Sequence, residues 1–363
     1  MKELELYLHI PFCVSKCNYC DFLSAPASKA ERQAYVEDLC RKIRSHGALA
    51  EVSSVVSLFL GGGTPSILEA DQTRAIFQAV REAFRLTEDA EITTEMNPGT
   101  VTKEKLKAYR KLGINRLSIG AQSMDDRELR MLGRIHTRQD FLETYQMARE
   151  EGFTNINVDL ISAIPGQTVE SWGRTLRQTA DLGPEHISAY SLIIEEGTPF
   201  YERYGEGRHR SELPDEEAER QMYHDTARIL ETYGYHRYEI SNYAKEGYEC
   251  RHNLGYWNRT EYLGIGTGAA SLVDDRRWVE GEEPEKLTRK DQMEEYMFLG
   301  LRKMEGVSKE RFAENFGCSM ESVYGEVLER MYSLGMLEKQ EGCVRLTRRG
   351  IDVSNRVMSE FLL

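Results

Sequence analysis

No apolar run in these 363 residues approaches the roughly eighteen needed to span a bilayer. An excess of positive charge is missing too. Lys and Arg number 47 against 60 Asp and Glu, a net charge of −13. Broad attachment to nucleic acid or to an anionic membrane needs the opposite balance, so neither is expected. The opening MKELELYLH lacks the basic flank and apolar core of a signal peptide. Seven cysteines is an odd number, and three of them crowd together, which excludes a disulfide framework. The expected compartment is the cytoplasm, where thiols stay reduced. What remains is an ordinary soluble composition, 40% hydrophobic and 29% charged, long enough for two domains or one large barrel with an appendage.

The stretch that organises the chain is Tyr7 to Phe22, YLHIPFCVSKCNYCDF. Cys13, Cys17 and Cys20 follow a strand-like run, Leu4–Ile10, at spacings of four and three. Thiolates are soft donors that favour iron–sulfur clusters, zinc or copper(I). Closing a loop across a few residues costs less entropy than recruiting Cys40, so three ligands assemble locally and no fourth lies near. A structural zinc site is closed by four protein ligands. A four-iron cluster on three thiolates keeps one iron open. Plain packing is the third reading, since the three positions share a helix face and cysteine is often a small buried hydrophobe. Pro11, the preceding strand, Lys16 and Asn18 speak against that helix.

A strand-then-helix rhythm fills the first two hundred residues. Strands are expected at Leu4–Ile10, Val55–Leu60, Ala90–Met96, Asn115–Gly120, Thr154–Ile161 and His186–Ile193, several of them continuous apolar runs of the kind buried on both faces. Helices are expected between them, among others over Lys29–His46, Glu69–Arg85 and Thr168–Leu182. Six such units predict an open parallel (β/α)6 partial barrel, whose site gathers at the C-terminal strand ends. There lie the glycine loop GGGTPS (Gly61–Ser66), Glu95 before Asn97-Pro98-Gly99, Gln122 in IGAQS and Asp159 in NVDLI. Consecutive glycines let the backbone approach a ligand, although such a run is also an ordinary tight turn. Each polar residue alone reads as a cap or a solvated group. Three at the ends of successive apolar strands need a partner that a ligand would supply.

A second informative stretch is Cys250–Ser271, CRHNLGYWNRTEYLGIGTGAAS. His252, Tyr256 and Trp257 stand close together beside Arg251. Imidazole is a common axial ligand of haem iron, aromatic faces pack on a porphyrin, and a guanidinium suits propionates. A lone histidine in a loop is more often no ligand at all. The acidic helical pattern over Pro214–Tyr233 reads as solvated surface. The tail from Lys286 reads as three helices and a hairpin around KQEGC, a winged-helix-like, mainly α domain. Its 13 basic against 14 acidic residues over 285–363 give no stripe for DNA, and Cys318 and Cys343 read as packing residues. The expected division is 1–235 for the barrel, 236–285 for a connecting segment and 286–363 for the winged-helix-like domain.

CxxxCxYC after a strand resembles the signature of the radical S-adenosylmethionine (SAM) superfamily. HIPFC and CDF resemble the subgroup around oxygen-independent coproporphyrinogen III oxidase and its haem-chaperone relatives. The resemblance implies a 4Fe-4S cluster on Cys13, Cys17 and Cys20, with SAM chelating the open iron. It carries SAM contacts over to Tyr7, Gly62, Gly63, Thr64, Glu95, Gln122, Arg134 and Asp159, with Tyr19 beside the adenine. HNLGYW resembles the HNxxYW motif that distinguishes the haem chaperones, matched here by His252, Asn253, Tyr256 and Trp257. Either His252 or Cys250 is the implied axial ligand. Many relatives read GAHS where this chain has Gly268-Ala269-Ala270-Ser271, so no second axial histidine comes from there. Phe22 occupies the position of the oxidases' further cysteine, and their N-terminal extension has no room before the first strand. The resemblance therefore implies a haem chaperone with haem, SAM and a haem-acceptor protein as partners, the oxidase being the alternative and a DNA-binding regulator the weakest reading. A homodimer is admitted as its assembly.

Overall fold

A computed structural model describes residues 1–363, the side chain of Ala50 excepted. The six apolar runs form six strands: β1 Lys2–Ile10, β2 Ser53–Gly62, β3 Leu86–Met96, β4 Arg116–Gln122, β5 Ile156–Ser162 and β6 His186–Ser191. Each pairs in parallel with the next, in chain order. The helices between them are α1 Lys29–Ser45, α2 Ala70–Ala83, α3 Lys103–Lys111, α4 Asp126–Met131, α5 Arg138–Glu150 and α6 Val169–Asp181. Capping boxes start α1 at Ser28, α5 at Thr137 and α6 at Thr168, where side-chain oxygens satisfy amides the helix leaves unpaired. After β6 come α7 Pro199–Tyr204 and α8 Glu216–Glu231.

Alternation along the strands separates two environments. Leu4, Leu6, Leu8 and Ile10 are fully buried beneath the helices. Burial of each contributes about 1.5–3 kcal/mol. The intervening residues line the inner face in register: Glu5 opposite Ser57, Tyr7 opposite Phe59, and His9 opposite Gly61. Ser57 pairs with Glu91, and Glu95 with Ser118. The lumen is therefore polar, unlike the apolar jacket.

The sheet does not stop at six strands. Segment 236–285, expected as a connection, supplies both of its edges. β7 His236–Arg237 and β8 Asn242–Ala244 extend it beyond β6. The chain then crosses through a helix, α9 Arg251–Trp257, to β9 Tyr262–Ile265, which pairs in parallel with β1. β10 Ala270–Val273, β11 Arg276–Val279 and β12 Glu285–Lys286 complete a twelve-stranded sheet whose ends do not meet. The tail forms α10 Arg289–Gly300, β13 Val307–Ser308, α11 Lys309–Phe316, α12 Met320–Ser333, β14 Leu337–Gln340, β15 Cys343–Leu346, α13 Arg348–Asp352 and α14 Ser354–Ser359. The hairpin β14–β15 stands where a wing is expected, with β13 added as a third strand. Its core, from Met297 to Phe361, is separate from that of the barrel. Among the described residues no helix is long and apolar enough to cross a membrane.

Candidate functional site

The cysteine loop leaves β1 through Pro11 and is pinned on both sides. Cys13 donates its amide to the Ala25 carbonyl at 3.2 Å, and Asn18 donates to the Leu132 carbonyl at 3.0 Å. Cys13, Cys17 and Cys20 are free and half-buried. Each of two sulfurs receives a donor: the Thr64 hydroxyl reaches Cys13 Sγ, and Arg134 Nη1 reaches Cys17 Sγ, both at 3.5 Å. Asn97 joins these donors. Its Nδ2 donates to Thr64 Oγ1 at 2.8 Å, and its Oδ1 accepts from Arg134 Nη2 at 2.7 Å. Burial pushes the Cys20 thiol up, and the neighbouring Cys17 and Cys13 add to it, so the three sulfurs share one environment. Among the described residues no three His, Cys, Asp or Glu side chains are placed to grip a single metal ion. A cluster instead takes each thiolate on a different iron. The soft donor set, with hydrogen bonds already aimed at sulfur, fits that group.

Directly above lies the glycine loop. Gly62 has φ +112°, and a Cβ there would meet the His9 ring at 2.6 Å. A Cβ on Gly63 would meet the Phe12 carbonyl oxygen at 2.6 Å. Only glycine brings this loop against the cysteine loop. Glu95 Oε2 accepts from the Gly62 amide at 2.9 Å, yet burial and then Asp159 push its carboxyl up to about 8. Asp159 accepts from Ser118 and Asn157 at 3.0 and 2.8 Å, and burial raises it as well. Tyr7 and His9 hydrogen-bond at 3.0 Å beside the glycines. Tyr19 packs against the apolar cluster of Leu132, Ile161, Ile164, Phe200 and Tyr204 and lies against Arg134. Gln122 at the end of β4 and Ala163 just past β5 both have positive φ, 67° and 59°. Such strain in non-glycine residues clusters at functional sites. Sequence reasoning missed Asn97; its place in the NPG turn after Glu95 was the available signal.

The second motif lies elsewhere than a surface loop. Helix α9 plugs the opposite end of the lumen, its first amides donating to the Glu91 carboxylate, Arg251 at 3.1 Å and His252 at 3.2 Å. His252 is 2% exposed and Cys250 fully buried. The His252 ring stacks on Phe59 at 5.1 Å and meets Tyr256 edge-on at 4.9 Å. Its Nδ1 bonds Ser57 Oγ at 2.8 Å, while Nε2 is buried without a partner. Burial holds this imidazole down at about 3. Glu5 lies against the same helix, its carboxyl raised by burial to about 9. A Cβ on Gly255 would meet Glu5 Oε1 at 2.0 Å. Asn253 is half-buried on the same helix. Trp257, at the helix end, points away from the lumen into a cleft against the tail domain. The motif is thus split, its histidine inward and its tryptophan outward.

Residues 7–179 match the model of the radical SAM superfamily, and residues 287–353 match that of the HemN C-terminal domain. The heme chaperone HemW of Bacillus subtilis is 36% identical over 374 residues, covering 98% of both chains. The HemW of Lactococcus lactis is 36% identical over all of this chain and 98% of its own. That of Escherichia coli is 40% identical over 75% of this chain and 71% of its own. Among solved structures, the coproporphyrinogen III oxidase HemN of Escherichia coli superimposes with a TM-score of 0.86 at 24% identity, covering 99% of this chain and 90% of that one. The fold and the cysteine loop are those of a radical SAM protein. Within that class, the chain belongs to the HemW family.

Proposed function

We propose that the protein is a haem chaperone, which binds haem and passes it to an acceptor protein while carrying a 4Fe-4S cluster with exchangeable SAM. The observation that carries this reading is the end-to-end similarity to heme chaperones of two organisms, 36% identical over 98% or more of this chain. Cys13, Cys17 and Cys20 would hold the cluster, with Thr64 and Arg134 orienting two of the sulfurs. Gly62, Gly63, Thr64 and Glu95 would bind the amino-acid end of SAM, and Tyr7, Tyr19, Gln122 and Asp159 the remainder. When bound, the cluster and SAM supply one-electron chemistry. His252, Asn253, Tyr256 and Trp257 of helix α9 would contribute to haem binding, as the HNLGYW motif implies.

The oxidase reading is weaker. HemN shares the fold, and at 24% identity the likeness goes no further. Where the oxidase subgroup has a further cysteine, this chain presents Phe22, 59% exposed. Work in the cytoplasm suits a cluster on free thiols, and a homodimer is tested by sedimentation of the reconstituted protein. The deciding experiment is anaerobic reconstitution, haem titration, and incubation with an apo-haemoprotein. Stoichiometric haem uptake followed by transfer supports the chaperone. Turnover of coproporphyrinogen with SAM and reductant, without haem uptake, overturns it.

A further inference from the structure

Beside the cysteine loop, the turn after β3 sets one carboxamide between the two groups that reach the sulfurs. The Asn97 backbone is gripped on both sides. Its N–H donates to Ser66 Oγ at 3.3 Å, and its carbonyl accepts from Thr100 Oγ1 at 2.6 Å. Gly120 leaves the side chain its room, since a Cβ there would come within 3.0 Å of Asn97 Oδ1.

The direction of each proton in this group follows from what each atom can do. Arg134 carries donors and no acceptor. Its Nη2 donates to the Gly120 carbonyl and to Asn97, at 3.0 and 2.7 Å. Its Nε meets His136 Nδ1 at 3.4 Å, an acceptor because Nε2 of that ring faces the Ala121 carbonyl at 3.2 Å. Nη1 is left for Cys17 Sγ, 3.5 Å away. The Asn97 atom facing the guanidinium is therefore the oxygen, and Nδ2 faces Thr64 Oγ1 at 2.8 Å. A carboxamide nitrogen only donates, so Thr64 accepts there. Its single hydroxyl proton remains for Cys13 Sγ, 3.5 Å away. Thr64 is buried, so bulk water does not compete for that proton.

We propose that Asn97 is a positioning residue for the cluster: it holds Arg134 with its oxygen and Thr64 with its nitrogen, and so commits one proton to Cys17 and one to Cys13. The assignment rests on the cluster of the haem-chaperone reading. Hydrogen bonds to the sulfurs stabilise the added negative charge of the reduced cluster and raise its reduction potential. Asn97→Asp separates this role from a merely structural one. It keeps an acceptor for Arg134 but has no donor for Thr64, whose proton then turns from the sulfur to the carboxylate.

The test is a redox titration of the full chain, reconstituted anaerobically without SAM, read by electron paramagnetic resonance of the reduced cluster and by iron analysis. Thr64→Ser keeps the hydroxyl and should titrate with the wild type. Thr64→Val should lower the ratio of reduced to oxidised cluster at a fixed potential by roughly two- to tenfold, the weight of one hydrogen bond. Asn97→Asp should lower it further in the wild-type background than in Thr64→Val, where only the added charge acts. Should Asn97→Asp load no iron, Asn97→Ala takes its place in the same cycle, and its effect should likewise shrink beside Thr64→Val. Equal shifts in the two backgrounds, or a Thr64→Val that titrates with the wild type, overturn the assignment and leave the cluster standing. A wild type that assembles no iron–sulfur cluster overturns both.

Discussion

Burial favours the protonated form of Glu95, which matters if this carboxyl holds the ammonium group of SAM as proposed. Its carboxyl is raised to about 8, so an incoming ammonium group must first drive the proton off. The apparent affinity for SAM should climb by roughly an order of magnitude from pH 6 to pH 7 and level off above pH 8. Calorimetry in buffers of different ionisation enthalpy should register about one proton released per SAM at pH 7. Glu95→Gln should flatten both dependences; a wild type without proton release would assign the ammonium another partner. Glu5 behaves in the opposite sense for stability. Its folded value, about 9, lies above the unfolded one, so the native state binds the extra proton between roughly pH 4.5 and 9 and loses stability as the pH rises through that window. Glu5→Gln should therefore be more stable than wild type by about 1–3 kcal/mol at pH 8.5 and nearly equal to it at pH 5, in urea unfolding. The cysteine trio was legible because ligand spacing is local. Glu5, Ser57 and Glu91 were not, because only the strand register shows which alternating side chains face the same lumen.

At the scale of elements, α9 depends on one missing side chain. Gly255→Ala places a methyl into the Glu5 carboxyl, so it should cost about 1–3 kcal/mol in urea unfolding. The Glu5→Ala background should recover most of that loss, since the two positions touch and their effects are not additive. A full cost in both backgrounds would place the strain elsewhere. Similarly, Gly63→Ala should cut SAM affinity and iron content together, because its Cβ separates the glycine loop from the cysteine loop at Phe12. The six long strands and the helices between them could be read from apolar runs and caps. α9 could not: RHNLGYW looks polar enough for a loop, and its burial comes from Glu5, Ser57 and Glu91, all 160 or more residues away in the chain. The edge strands β7 to β12 are two to four residues long and partly exposed, too short to leave a periodic pattern.

For the whole molecule, two apolar cores separate what binds the cluster from what closes the cleft. Leu328, 2% exposed, belongs to the tail core. Leu328→Ala should cost about 2–5 kcal/mol and loosen the tail while the iron–sulfur absorption survives. Simultaneous loss of both signals would mean that the cores unfold as one. The segment 236–285 has a further consequence for anyone recombining such chains. Because its strands sit on opposite margins of one sheet, a splice at residue 236 would strip hydrogen-bonded neighbours from β6 and β1 together. A graft that exchanges only the tail should be joined near residue 287, and hybrids made at the earlier point should come out of cells as aggregates, exposing two raw strand borders to one another.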